Sequence, residues 1–237
     1  MKSVEVATIL NIETSTRICS VALAVDGKII MLKESGEKNA HASNITLFSE
    51  SVVHEAQLSF DQLDAVAVSM GPGSYTGLRI GVSTAKGYCY ALDIPLLAIG
   101  TLKALAYGMI QDISTPDDHL FIPLLDARRM EVYMAVYDSR LNPVQPVRAE
   151  VVDENSFSEL LKKNKVVFAG DGAAKCKDLF QDHPNARFLE DLHPSSSFIA
   201  PLANSKFLQK QFEDVAYFEP FYLKDFVAGI PKVKGLK

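Results

Sequence analysis

Little in this chain is suited to acting alone as an enzyme, a membrane protein or a nucleic-acid coat. Only three cysteines occur in 237 residues, Cys19, Cys89 and Cys176, far apart and each inside an apolar run. That spacing excludes a disulfide framework and predicts reduced, buried thiols that behave as small hydrophobes, in keeping with a cytoplasmic protein. No apolar run approaches the ~18 residues of a membrane helix. Glu5 and Asn11 interrupt the first apolar stretch, so no secretory leader is expected either. Positive charge is in short supply, with 24 Lys and Arg against 29 Asp and Glu. A net charge of −5 argues against gripping nucleic acid unaided and leaves such contacts to a partner.

Metal and nucleophile patterns are missing as well. His41 and His54 stand 13 positions apart, so at ~100° per residue they point to different sides of one helix. His119, His183 and His193 stand beside Asp or Pro, and no pair shows the i, i+4 spacing of metal ligands. There is no Gly-x-Ser-x-Gly elbow, no cysteine with an indicated histidine partner, no Walker lysine pattern and no full dinucleotide fingerprint. The residues name no catalytic group and no metal site.

What is present is an ordinary globular composition, 48% hydrophobic and 22% charged, in a length that suits two lobes or one large domain. The chain is organised around Ser69 to Leu92, SMGPGSYTGLRIGVSTAKGYCYAL, which reads as a strand end, a glycine-rich turn and a helix. Gly71, Gly73 and Gly77 permit close backbone approach, Pro72 restricts φ, and Ser74 and Thr76 can cap the helix. Free amides at such a start suit a phosphate, although a tight strand-to-helix connection needs the same residues. Leu78, Val82, Ala85, Cys89 and Leu92 recur at spacings of four, three, four and three, and Gly77, Gly81 and Ala85 thread small residues through the same helix. Such a seam either docks a partner or packs within its own lobe. A second amphipathic helix from His41 to Gln57, with the stripe Ile45, Phe48, Val52 and Ala56, favours docking. The expected partner surface is therefore Ile45, Phe48, Val52, Leu78, Gly81, Val82, Ala85 and Cys89.

Taken in order, strands are expected at Val6 to Ile12, Ile18 to Val25 and Ile29 to Leu32, with an Asp26-Gly27 hairpin between the last two. The His41 helix, a strand from Leu63 to Ser69, the glycine-loop helix and a strand from Ile94 to Ile99 follow. The second half repeats this order: Phe121 to Leu125, Glu131 to Tyr137 and Val147 to Val152, a helix from Ser156 to Asn164, a strand from Val166 to Ala169, a helix to Phe180, a weak strand at Ala186 to Leu189 and a helix from Ser196 to Phe212. Gly170-Asp171-Gly172 is the counterpart of the first glycine loop. Two copies of β-β-β-α-β-α-β predict an α/β fold of the actin-like (ASKHA, ribonuclease H-like) architecture. Residues 1–108 would form one lobe, completed by the aromatic tail 214–237 with its basic, mobile end Val233 to Lys237. Residues 109–213 would form a smaller second lobe. In actin-like proteins an acidic residue and hydroxyls after the first strand meet a metal-bound phosphate. Here that turn is Glu13, Thr14, Ser15 and Thr16. Together with Gly71, Gly73, Ser74, Gly77 and Asp126 it makes a candidate vestigial phosphate site. Asp126-Ala127-Arg128-Arg129 reads equally as a polar turn paired to surface charge.

The segments ILNIETST, SVALAVDG, LDAVAVSMGPGSYTGLRIGVSTAKG, IPLLAIGTL, DARRMEVYMAVYD, FAGDG and EPFYLKDF, spread over nearly the whole chain, resemble the TsaB (YeaZ) family. The family's usual aspartate in the first turn is Glu13 here. The resemblance implies a non-catalytic subunit that forms a heterodimer with TsaD and, with the ATPase TsaE, supports threonylcarbamoyl transfer to adenosine in tRNA. TsaD shares the glycine loop but holds a metal through paired histidines on the helix after the fifth strand. The corresponding Thr101-Leu102-Lys103-Ala104-Leu105 has no histidine. It further implies a homodimer in isolation, tRNA met only within the complex, and no cofactor beyond weak ATP or ADP binding where partners meet. A glycoprotease label attaches to the family, yet no residue here supports peptidase chemistry. The competing expectation is an autonomous nucleotide-dependent transferase or kinase-like enzyme built on Glu13, Asp126 and the glycine loops.

Overall fold

The structure, a computed structural model, describes residues 6–37 and 41–224, apart from the side chains of His41 and Ala42. The first half runs β1 (Thr8–Glu13), β2 (Cys19–Val25), β3 (Lys28–Ser35), α1 (His41–Glu55), β4 (Ala65–Gly71), α2 (Tyr75–Leu92), β5 (Leu96–Gly100) and α3 (Thr101–Gln111). The second runs β6 (His119–Asp126), β7 (Glu131–Tyr137), β8 (Pro143–Val151), α4 (Ser158–Lys163), β9 (Lys165–Ala169), α5 (Ala174–Phe180), β10 (Ala186–Phe188) and α6 (Ser196–Leu208). Each half makes a five-stranded sheet of the same order, β3-β2-β1-β4-β5 and β8-β7-β6-β9-β10. The first two pairings of each are antiparallel hairpins and the last two are parallel crossovers. This is the duplicated actin-like α/β architecture.

Local chemistry accounts for several of these boundaries. Asp26 and Gly27 both take positive φ, 50° and 72°, as a tight hairpin turn requires. Ser74 caps α2 by accepting the Gly77 N–H, and Asp93 ends it in the left-handed region at φ 55°. Alternation along β1 sends Leu10 and Ile12 to the core beneath α1 and α2 and Ile9 to the core beneath α6.

The expected element order has no place for α3. Leu102, Ala104, Leu105, Ala106, Met109 and Ile110 are all buried, so apolar residues cover most of the helix and only a narrow row, Lys103, half-buried Tyr107 and Gln111, faces outward. Its position explains the burial. Ala104 faces the core of the first sheet, while Leu102, Leu105 and Met109 pack on the second sheet. The closing helix α6 lies on the first sheet through Ile199 and Ala203, and it ends at Leu208 rather than at Phe212. A division at 108/109 therefore does not follow the packing, because each half lends its last helix to the other's sheet. After α6 the chain returns to the first lobe. The Glu213 N–H bonds Leu96 O at 2.9 Å, Val215 and Phe218 join the core under α1 and α2, and Lys86 Nζ holds the carbonyls of Ala216 and Phe218 at 3.1 Å each. Residues Val233 to Lys237 lie outside the described residues.

Gly108 marks where α3 and α6 touch: a Cβ there would stand 2.6 Å from the Phe198 ring. Gly→Ala in an open helix stabilises by about 1 kcal/mol. At Gly108 the sign should reverse, to a loss of roughly 1–3 kcal/mol in urea unfolding, and Phe198→Leu in the same chain should recover most of that loss.

Candidate functional site

At the end of β1 the side chain of Glu13 turns inward and is fully buried. Its Oε1 accepts the Ser15 N–H at 2.6 Å and the Ser69 hydroxyl at 2.9 Å, while Oε2 has no partner among the described residues. Burial pushes the carboxyl above its usual range, against the opposing pull of the hydrogen bonds from Ser15 and Ser69. Asn11 Oδ1, Thr14 Oγ1, Ser15 Oγ, Thr101 Oγ1 and Ser196 Oγ are likewise buried without a hydrogen-bond partner among the described residues.

The glycine loop is bound to this turn. Ser74 N–H donates to Ser15 O at 2.6 Å. A Cβ would stand 2.5 Å from Ser15 O at Gly73, 2.1 Å from Thr14 O at Gly77 and 2.2 Å from Thr14 Oγ1 at Gly81. The small-residue stripe of α2 is therefore where the turn after β1 seats itself. Gly71, at φ 115°, gives the same close passage to the tail, whose Phe221 carbonyl would meet a Cβ at 2.5 Å. Glu13, Thr14, Ser15, Gly71, Gly73, Ser74 and Gly77 do come together, but as a self-filled knot of chain.

The second lobe repeats the device in part. Gly172 N–H bonds Leu124 O at 3.1 Å, and a Cβ at Gly170 would stand 2.2 Å from the same oxygen. Asp126, by contrast, lies at the surface with Lys175 Nζ at 2.6 Å and the Arg128 N–H at 2.6 Å on its Oδ1. Burial works against its charge, but Lys175 and Arg128 outweigh it and hold this carboxyl below its usual range. Asp171, whose Oδ1 accepts the Asp126 N–H at 3.0 Å, is pushed up by burial. Among the described residues no three His, Cys, Asp or Glu side chains form a metal-binding group, and no helix is long and apolar enough to cross a membrane.

The expected docking surface needs correction. Ile45, Val52, Leu78, Val82, Ala85 and Cys89 are buried in their own lobe, Phe48 is half-buried against them, and Gly81 faces Thr14. A heptad seam specifies only which face of a helix is covered, and here the first sheet covers it. The outward faces are different rows. Along α2 they are Thr76, Arg79, Ser83, Gly87 and Tyr90, the last 86% exposed; along the neighbouring α1 they are Leu47, 60% exposed, Glu50 and His54. Sequence reasoning also passed over Ser20, Ser69, Thr101, Lys175 and Ser196. Of these only Ser196, inside the cap-like run Ser195-Ser196-Ser197, carried a legible signal.

The two kinds of glycine in α2 should separate in stability. Gly77→Ala is expected to cost roughly 3 kcal/mol through the Thr14 carbonyl. Gly87→Ala, with nothing within 4 Å of the added carbon, should gain about 1 kcal/mol; thermal or urea unfolding reads both.

A family model described as "TsaD: tRNA N6-adenosine threonylcarbamoyltransferase" matches residues 36–232. The chain is 32% identical over 181 residues to the tRNA threonylcarbamoyladenosine biosynthesis protein TsaB of Bacillus subtilis, covering 74% of this chain and 76% of that protein. It is 29% identical over 228 residues to TsaB of Escherichia coli, covering 93% and 96%. A solved structure from Pseudomonas aeruginosa, described as an uncharacterized protein with similarity to peptidase YEAZ, superposes with a TM-score of 0.78 at 24% identity, over 92% of this chain and all of that one. With the duplicated sheets and the filled glycine loop already in view, these matches show that the chain belongs to the TsaB (YeaZ) family.

Proposed function

We propose that this chain is a non-catalytic subunit in the biosynthesis of threonylcarbamoyladenosine on tRNA, acting as a scaffold and activator for TsaD. The observation that carries this reading is the knot at Glu13, Thr14 and Ser15. The Ser15 and Ser74 amides are bonded within the chain, and the turn after β1 fills the space at Gly73 and Gly77 that a phosphate would need. Asp126, on the second lobe, is paired with Lys175 through its Oδ1. An autonomous kinase-like or transferase mechanism would need both groups open to substrate, so the filled site weighs against it. Peptidase chemistry gains no support either, since burial pushes the Cys19 and Cys176 thiols up to about 12 and Cys89 up to about 11.

On this reading TsaD docks on the outward rows of α1 and α2. Leu47 and Tyr90 supply exposed apolar area, and Ser83 and Gly87 let a partner helix approach closely. In the absence of TsaD a second copy of the chain takes that place. TsaE joins through the TsaD complex, and tRNA is met only there, which suits a net charge of −5. Any nucleotide bound with this chain sits where the partners meet.

Gly87→Arg should lower affinity for TsaD of the same organism by at least about tenfold, ~1.4 kcal/mol, in a titration of the purified proteins. Its thermal midpoint should be at or above that of the wild type, because residue 87 faces open space and arginine is a better helix former than glycine. Unchanged affinity for both Gly87→Arg and Tyr90→Ala would place the interface elsewhere.

A further inference from the structure

Two hairpins of this chain place consecutive residues in the left-handed backbone region. Between β2 and β3 these are Asp26 and Gly27, at φ 50° and 72°, residue types that take this conformation readily. Between β6 and β7 they are Arg128 and Arg129, at φ 70° and 48°. Asn-Gly is the favoured pair for such a turn, and a long side chain at either position is disfavoured. The turn is nonetheless held from several sides. The Arg128 N–H donates to Asp126 Oδ1 at 2.6 Å, and the Val152 N–H to Met130 O at 2.8 Å. The Glu131 N–H donates to Arg128 O and the Ala127 N–H to Glu131 O, at 3.1 Å each. A costly conformation fixed this firmly marks side chains retained for what they present.

Charge points the same way. Asp126 is paired with Lys175, and Glu131, at the far end of the turn, is paired with Lys224. The acids that flank the turn are thereby neutralised. Arg128 and Arg129 are both exposed, and neither guanidinium is in an ion pair among the described residues. The turn therefore carries a positive excess on a chain whose net charge is −5. A planar guanidinium forks onto phosphate oxygens, and two of them on a rigid turn can hold successive groups of a polyanion.

We propose that the β6–β7 turn is this chain's contact with RNA, with Arg128 and Arg129 pairing to backbone phosphates of the tRNA within the TsaD complex. The inference rests on the reading that tRNA is met in that complex. It assigns the RNA contact to the second lobe, whereas the docking rows of α1 and α2 belong to the first.

The test is a titration of tRNA with the purified complex of this chain and TsaD of the same organism, repeated over a range of potassium chloride concentrations. The wild type is compared with Arg128→Asn combined with Arg129→Gly. Asn and Gly suit the turn, so the thermal midpoint of the variant should be at or above that of the wild type, and its affinity for TsaD should be unchanged. Its affinity for tRNA should fall on the order of tenfold at about 0.1 M salt, and the slope of log affinity against log salt should lessen by about 1.5 for the two phosphate contacts removed. Arg128→Lys with Arg129→Lys should keep the slope of the wild type. Unchanged tRNA affinity and salt slope in the Asn-Gly variant would overturn the proposal. So would equal competition by polyglutamate, which would assign the arginines to an acidic protein segment, or by ATP, which would assign them to a mononucleotide. If no complex with TsaD forms, the reading of this chain as a TsaD subunit fails, and the isolated chain at low salt decides the RNA contact separately. Binding by the wild type that the Asn-Gly variant loses supports the contact, and absence of binding by the wild type overturns it.

Discussion

Everything in the first lobe depends on one close contact, the seating of Thr14 and Ser15 against Gly73, Gly77 and Gly81. The Thr14 carbonyl would lie 2.1 Å from a Cβ at Gly77 and its Oγ1 2.2 Å from one at Gly81, so no residue with a side chain can stand at either place without displacing the turn. That contact fixes the rotation of α2 about its own axis. Once Gly77 and Gly81 face the turn, Leu78, Val82, Ala85 and Cys89 must face the sheet, and Ser83, Gly87 and Tyr90 must face solvent. It also spends the glycine loop, since the Ser74 amide is bound to Ser15 O and the Ser15 amide to Glu13. A closed glycine loop and an outward helix face are thus two results of one packing event.

Duplication gave the second lobe the same strand order and a matching glycine contact, but a different outcome at the strand end. Glu13 is buried and held by its own turn, whereas Asp126 is exposed and paired with Lys175. The tail joins the lobes across this asymmetry. Phe221 N–H bonds Met70 O at 2.7 Å beside the first glycine loop, the Tyr222 ring packs against Tyr75 at 4.8 Å with the two planes tilted by 35°, and Lys224 pairs with Glu131 and lies over Tyr133 in the second lobe. With its last helices exchanged between sheets and its tail running from one lobe to the other, the molecule is built as one body. Such a body can present a steady surface to a partner.

Much of this was legible in the residues. Alternating and continuous apolar runs placed the strands, Asp26-Gly27 placed a hairpin, and the repeat of the element order gave the fold. Two things were not legible, each for a physical reason. The helix α3 lies between two sheets, so apolar residues cover most of its circumference and only the three-residue row Lys103, Tyr107 and Gln111 is left to mark it as a helix. The seam of α2 is real, but a stripe that packs on its own sheet and one that packs on a partner have the same spacing. Only the position of Thr14 distinguishes them. The paired charge of Lys175 on Asp126, 49 positions apart, likewise has no local signature.

The central claim is that this chain supplies a surface and not chemistry to threonylcarbamoyl transfer. Its most direct measurement is product formation on tRNA by purified TsaD and TsaE of the same organism, without this chain, with the wild type, or with Asp126→Asn. The account predicts no product without the chain and equal product from wild type and variant, because Asp126 is half exposed, asparagine can still accept from Lys175, and Lys175 keeps the Glu131 carbonyl. Full product without the chain, or loss of product with Asp126→Asn while the complex still forms, would contradict it.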